Sequence, residues 1–404
     1  MVNTLASSDY CDTYDLNKSP LFGRRPPLLP SLVIELTERC NNNCVHCYIN
    51  LPRNDAKAIS RELTTGEWKD ILNQAAEMGV LAVHFTGGEP LLRDDFAELY
   101  LHARHLGMRV LLFTNGRCIT PELAEMFSRI PPLEKIEVTV YGMQPTTYDA
   151  VARCPGAFDE FWRGVQLLLQ RKVPFIVKGA LLPQNKGDRE RFEAWAQTIP
   201  WMEGTPSYSM FFEMRGRRDS GKKNENIAQL RTTPEDGLSV LTRDEIRYRK
   251  DMAQFCQKYM GASGIRLFSC GAGLSLSIDA YGIIQPCLRL RMPELCYDIR
   301  KGSLKEALTV FFPRIREILA ENPDYLERCA NCFIKGLCEQ CPAKSWSEHG
   351  TLDTPVDYYC AIAHEQARYL GLIEPGESAW EVTNGRERVE RVINTLLEGD
   401  TGKT

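Results

Sequence analysis

Apolar and polar positions follow two periods along the first half of the chain. Ser31 to Leu36 is a short apolar run with the length of a strand. Beyond a polar loop, Trp68, Ile71, Leu72, Ala75 and Ala76 recur at helical spacing, behind a capping box of Thr64 with Glu67 and ahead of Gly79 as terminator. Five further strand-like segments follow, Val80–Phe85, Arg109–Phe113, Lys135–Tyr141, Pro174–Leu182 and Tyr208–Met214, separated by helix-length stretches. Thr120 and Pro121 open one of those helices as cap and first-turn residue. Such alternation predicts a parallel sheet with right-handed crossovers. A closed eight-fold barrel takes about 250 residues, more than residues 31–214 supply. The expected fold class is therefore α/β, a partial (β/α)6 TIM-like barrel, with residues 1–30 as an N-terminal extension.

From 215 to 265 the pattern weakens. Arg215, Arg217, Arg218, Lys222 and Lys223 crowd one segment, read here as a solvated bridge, and helical periodicity returns only around 243–260. Residues 266–364 are rich in cysteine, and the tail, 365–404, ends in an amphipathic helix with Val389, Val392, Ile393, Leu396 and Leu397 on one face. The last five residues are expected to be disordered.

Composition narrows the class. Of 404 residues, 43% are hydrophobic and 25% charged, which is ordinary globular usage. No apolar run is long enough to span a bilayer and the N-terminus lacks a signal-peptide pattern, so a cytoplasmic protein without a membrane partner is expected. A net charge of -4 argues against a nucleic-acid partner. Cysteine changes the picture: 15 are present, and clustered thiols in a reducing compartment are more often metal ligands than bridges.

Cys40, Cys44 and Cys47 have the spacing C-x3-C-x2-C directly after the first strand. Zinc sites take four ligands, commonly as C-x2-C pairs, whereas three thiolates leave one iron of a cubane cluster open for chemistry. The stretch from Glu38 to Tyr48 resembles the cluster loop of the radical S-adenosylmethionine (SAM) superfamily. The motif expected after the second strand in that superfamily is also present, as Thr86-Gly87-Gly88-Glu89-Pro90. By this resemblance SAM chelates the open iron, Gly87 and Gly88 let backbone approach the ligand, and Glu89 accepts from its ammonium group. Asn115, Thr139 and Lys178 lie at later strand ends, where barrel ligands gather, and are ribose or carboxylate candidates. Lys178 is also the candidate catalytic residue. Two plainer readings stand beside these: Thr114-Asn115-Gly116 as a turn and Lys178 as a salt-bridged barrel residue. Arg153, the nearest arginine to a ribose-holding position of the family, falls slightly late.

In the C-terminal part, Cys270, Cys287, Cys329, Cys332, Cys338, Cys341 and Cys360 resemble the SPASM domain, the auxiliary iron–sulfur extension of enzymes that modify peptides and proteins. The last spacing of the quartet, x2, departs from the usual x3, and paired zinc knuckles are the structural alternative. The resemblance assigns Cys329, Cys332, Cys338 and Cys360 to a distal cluster, and Cys270, Cys287 and Cys341 to one nearer the active site. The second set lacks a fourth thiolate: either Cys256 or Cys296 completes it, or its fourth iron is open to water or to substrate. Sulfatase-maturing relatives carry an aspartate just after the hairpin cysteine; here Leu288 and Arg289 follow Cys287.

The resemblance implies three [4Fe-4S] clusters, SAM, a one-electron donor such as flavodoxin or ferredoxin, and hydrogen abstraction from a precursor peptide. The product would be a thioether, a carbon–carbon crosslink or a dehydrogenation. A thirty-residue extension is too short for a leader-binding winged helix, which leaves that task to a separate protein or to Arg215–Lys223. Alternatives are a whole-protein maturase or a dehydrogenase of a small alcohol or amino sugar by the same chemistry. An iron–sulfur electron carrier and a zinc-bound interaction module belong to other classes, and the Thr86–Pro90 motif argues against the carrier.

Overall fold

The computed structural model describes residues 29–338 and 341–398. The bulk of the expected N-terminal extension and the last five residues lie outside them. Six strands run parallel: β1 (Ser31–Thr37), β2 (Ala82–Gly87), β3 (Arg109–Thr114), β4 (Leu133–Val140), β5 (Phe175–Ala180) and β6 (Tyr208–Ser209). The principal helices between them are α1 (Thr65–Glu77), α2 (Phe96–His105), α3 (Pro121–Arg129), α4 (Pro145–Ala152), α5 (Ala157–Gln170) and α6 (Arg189–Ala196). The capping box at Thr64 and Glu67 is formed, and Thr120 caps α3 with Pro121 in its first turn. β1 is buried on both faces along its C-terminal half, which is why it reads as a near-continuous apolar run, whereas β4 alternates buried positions with half-buried ones that face the barrel mouth. The sixth strand is shorter than the Tyr208–Met214 segment suggests. It pairs only at Tyr208 and Ser209 as the last strand of the sheet, and the chain then turns toward the barrel mouth.

Three more strands, β7 (Ser277–Ile278), β8 (Ile283–Gln285) and β9 (Tyr297–Asp298), extend the same sheet on the other side of β1. The order is β9-β8-β7-β1-β2-β3-β4-β5-β6, so part of the cysteine-rich region is built onto the barrel edge. That edge of β1 is therefore paired with its own chain.

The segment 215–265 corrects the sequence reading. It holds three helices, α7 (Gly221–Leu230), α8 (Pro234–Leu241) and α9 (Glu245–Tyr259). Ile227 is the one fully buried residue of α7, so that helix carries too weak an apolar stripe to be seen in sequence. Nor is the basic run solvated throughout, although Arg218 and Lys222 are exposed. Arg215, 2% exposed, donates to Asp219 and to the carbonyl of Cys47, and Arg217 bridges Glu38 and Asp279 at 2.7 and 2.6 Å. Arg218 donates to the carbonyls of Trp346 and Ser347. These cations tie the cysteine loop after β1 to the C-terminal half. Beyond them, α10 (Pro342–His349), α11 (Asp357–Tyr369) and the amphipathic α12 (Gly385–Glu398) complete the fold, with Val392 and Leu396 of α12 packed in one apolar cluster with Met252 and Cys256 of α9.

Candidate active site

The loop of residues 38–50 leaves β1 at the C-terminal end of the parallel strands, where the backbone crossing it must be free of side chains. A Cβ on Gly87 would stand 2.2 Å from the carbonyl oxygen of Thr37, and one on Gly88 would stand 2.2 Å from that of Arg39. Both glycines therefore serve the approach of β2 to the chain entering the loop, as well as facing the cavity described below. Gly88 N–H donates to Thr37 at 2.6 Å and Glu89 N–H to Arg39 at 2.9 Å. From the far side Asn115 Nδ2 donates to Asn41 Oδ1 at 2.7 Å, and Arg117 donates to the Asn41 carbonyl at 2.5 Å and to Asn42 Oδ1. Arg117 is anchored by Glu160 at 2.7 Å. Arg117 escaped the sequence reading, although it directly follows the Thr114-Asn115-Gly116 turn.

Glu89 is fully buried and accepts three hydrogen bonds from the protein, from Thr114 Oγ1 and Asn115 N–H at 2.8 Å and from Leu91 N–H at 3.1 Å. Burial pushes its carboxyl up to about 7, with the three donors opposing. Its side chain knits the end of β2 to the end of β3 and stands behind the cavity wall, while Gly87 and Gly88 form the wall. Three donors leave one of a carboxylate's roughly four acceptor positions unfilled by the protein.

A cavity of about 720 Å³ opens over the strand ends. Cys40, Cys44 and Cys47 line one end of it, and Asn115, Thr139 and Lys178 line it further along. Lys178 is paired with Glu137 at 2.5 Å and lies over the Phe113 ring, so its ammonium is neutralised by the barrel itself. His46 stacks on Phe212 with ring centroids 4.7 Å apart, and burial holds its imidazole down at about 4, hence neutral. Its Nδ1 and the Nδ2 of Asn42 are buried without a protein partner, and both residues face this cavity. Burial raises the Cys44 thiol to about 12 and raises Cys40 as well. A thiolate there needs a positive partner, which an iron cluster supplies. Three soft ligands on one loop beside unpartnered polar atoms fit a cluster with a polar ligand bound to it.

The cavity then runs beneath Met210, Phe211 and Phe212 to Leu288, Arg289, Cys338 and Lys344. Cys329, Cys332, Cys338 and Cys360 line one small pocket with Arg328, Lys335 and His364; Cys338 feels the other three thiols, and Cys332 feels Cys360 and Cys329. The Cys287 thiol, pushed up to about 11 chiefly by burial, is raised further by Cys341 and Cys270. The structure thus brings the seven thiols together as two sets, and the main cavity touches both, meeting Cys338 directly and the surroundings of Cys341 at Glu213, Arg289 and Lys344. Among the described residues no three His, Cys, Asp or Glu side chains converge as around a single ion. A four-iron cluster gives each thiolate its own iron and needs sulfurs spread around it. Of the two spare thiols, Cys296 lies near enough to Cys287 to be raised by it, whereas Cys256 is buried among apolar residues of α9.

The (β/α)6 sheet thus carries a three-cysteine loop and a double-glycine turn side by side at its strand ends. Residues 34–196 match the family described as the radical SAM superfamily. The chain is an enzyme with a radical SAM domain over these residues, and that family implies a [4Fe-4S] cluster and SAM. The AdoMet-dependent heme synthase of Methanosarcina barkeri is 26% identical over 78% of this chain and 92% of its own length. The PqqA peptide cyclase of Xanthomonas oryzae is 39% identical over 40% of this chain and 41% of its own length, so the chain spans less than half of that relative. In fold, the chain is similar to native anSMEcpe with bound AdoMet and Kp18Cys peptide, with a TM-score of 0.60 at 15% identity over 90% of this chain and 99% of the other. Among the described residues no helix is long and apolar enough to cross a membrane.

Proposed function

We propose that this enzyme is a cytoplasmic peptide maturase carrying three [4Fe-4S] clusters. The observation that carries the reading is the single cavity that begins at the cysteines after β1 and ends at the C-terminal thiols. A substrate in it would contact the first cluster site at one end and the auxiliary ones at the other. Cys40, Cys44 and Cys47 would hold the first cluster, with SAM ligated beside Gly87, Gly88, Glu89, Asn115 and Thr139. Cys329, Cys332, Cys338 and Cys360 would hold a second, and Cys270, Cys287 and Cys341 a third. Together the cluster and SAM would supply a 5′-deoxyadenosyl radical that removes hydrogen from substrate.

The chain's own residues do the rest. Met210, Phe211, Phe212, Met252 and Phe255 give the cavity apolar and aromatic walls suited to one inserted peptide side chain. Glu213 is the carboxylate of the lining, paired with Arg289 at 2.9 Å, and takes the part of proton acceptor that the sequence leaves empty after Cys287. Lys178, neutralised by Glu137, orients the ligand by hydrogen bonding. The radical step needs an external one-electron donor of the flavodoxin or ferredoxin kind, and a separate protein presents the leader of the precursor. The similarity to a peptide cyclase supports a peptide substrate.

A second reading rests on the heme synthase, the relative that matches over most of both chains: a tetrapyrrole in the same cavity. Incubation of the reduced enzyme with SAM and either a candidate precursor peptide or an iron porphyrin separates the two. Deoxyadenosine formation coupled to loss of hydrogen from the peptide, read by mass spectrometry, is the expected result. Coupling to the porphyrin alone would overturn the peptide assignment.

A further inference from the structure

A second cavity, also of about 720 Å³, lies against the same loop and meets the first at Cys40, Asn42 and Asn50. Its chemistry is opposite. Arg53, Arg117, Arg153, Arg163 and Lys223 line it, and the one carboxylate among its lining residues, Glu160, is already bound to Arg117. Arg53, Arg153 and Arg163 are exposed, and no carboxylate pairs with their guanidinium groups among the described residues. They come from the turn after the first loop, the left-handed C-cap of α4 and the outer face of α5, so no charge run in the sequence announces them. In a chain with a net charge of -4, such a cationic hollow is a local reversal of sign.

Its position gives the reversal a use. The loop is the partition between the two cavities, and Cys40 lines both. Substrate and SAM chemistry occupy the inner side, so an electron must arrive from elsewhere, and on the outer side the wall is a cluster ligand itself.

We propose that this cationic cavity is the docking site of the electron donor, an acidic one-electron carrier protein with a flavin or iron–sulfur centre. The inference rests on the radical SAM reading. The docked carrier gives up one electron, its centre is oxidised by one, and the cluster at Cys40, Cys44 and Cys47 is reduced by one; no bond is made or broken in this step. Electron-transfer complexes use small interfaces whose partners must separate after each turnover, and charge complementarity supplies fast encounter without tight binding. Lys223 is held in the rim by Asn50, at 2.7 Å to Oδ1, and Arg117 is fixed beneath the loop, so the positive field is anchored to the loop that holds the ligand.

The test uses the fully loaded enzyme and an Arg53→Glu/Arg163→Glu variant, at positions outside the main cavity. Reduced flavodoxin is mixed with each in stopped flow, and the second-order rate constant is followed against salt. At low ionic strength the variant should be slower by tenfold or more. The two should converge near 1 M salt, where charges are screened beyond about 3 Å. Oxidised flavodoxin should also bind the variant about tenfold more weakly, a readout that needs no turnover. Reduced methyl viologen, a small cationic donor, should drive SAM cleavage equally in both. An unchanged flavodoxin rate would overturn the proposal, as would an equal loss with viologen, which would mark a structural defect. Tight binding of inorganic phosphate that leaves flavodoxin binding untouched would overturn it too, in favour of a small-anion site. Failure of viologen-driven SAM cleavage in the unaltered enzyme would instead strike the radical SAM reading itself.

Discussion

The two cysteine regions are held in place by different physics. The three thiols after β1 lie within eight residues, and their loop is fixed by backbone packing at Gly87 and Gly88 and by hydrogen bonds from Asn115 and Arg117. The seven C-terminal thiols are spread from 270 to 360 on a hairpin, short helices and connecting turns. Charge locks between distant segments position them. Arg291 forms two bonds to the fully buried Glu35 of β1 at 2.6 and 2.7 Å, and Arg217 joins Glu38 to Asp279 at the β7–β8 turn. Tyr281 closes the same network by donating to Glu38 at 2.9 Å. A local site needs close approach, whereas a dispersed one needs specific long-range pairs, and the two should fail in different ways.

The largest separation is expected from replacing Cys40, Cys44 and Cys47 together by alanine. Deoxyadenosine formation should vanish while about eight of about twelve irons remain, because the other ligands stand on separate segments. Undiminished SAM cleavage would end the assignment of the first loop.

Next in size, Arg291→Met strips the partner from a carboxylate buried in β1. Burial already pushes the Glu35 carboxyl up, with Arg291 opposing it. Loss of that partner should cost about 3–5 kcal/mol, seen as a lowered thermal midpoint with iron lost first from the C-terminal set. Iron lost first from the N-terminal loop would erase the contrast drawn above.

Glu89→Gln sharpens the account of the first loop. A carboxyl raised from 4.5 to about 7 favours the folded state fully below pH 4.5, and that contribution fades as pH climbs through 7. Glutamine cannot ionise, so the stability difference should move in the variant's favour between pH 5 and 8, by about 3 kcal/mol at most. Thermal melts at both pH values measure it, and a pH-independent difference would mean that the carboxyl is not strained by burial. With one acceptor position left free, the loss of SAM affinity should be near tenfold, about 1.5 kcal/mol.

The smallest effect tests the short auxiliary set. Cys256→Ala should leave iron content unchanged, since that thiol packs among apolar side chains. Cys296→Ala should remove about four irons, completing the set with Cys270, Cys287 and Cys341. The reverse result would move the fourth ligand to α9.

Much of this molecule is legible in one dimension wherever the physics is local. Strand and helix periods, the Thr64–Glu67 box, the Thr120–Pro121 start and the cysteine spacings depend on neighbours in sequence, and the first five expected strands lie where those patterns put them, while the sixth is cut to Tyr208 and Ser209. The sequence also singles out Gly87, Gly88 and Glu89, but not that the glycines make room for Thr37 and Arg39, or that the carboxylate of Glu89 caps its own turn. Helices α7 and α8 were hidden because a helix with few apolar residues draws its stability from what it packs against. Arg215 and Arg217 read as solvated because their partners Cys47, Glu38 and Asp279 lie far off in sequence. For the same reason only the folded chain decided that Glu213 enters the main cavity, and that five cations from five segments meet behind Cys40. Coulombic and packing partners are chosen by distance in space, and sequence reports that distance only within a turn or two of helix or strand.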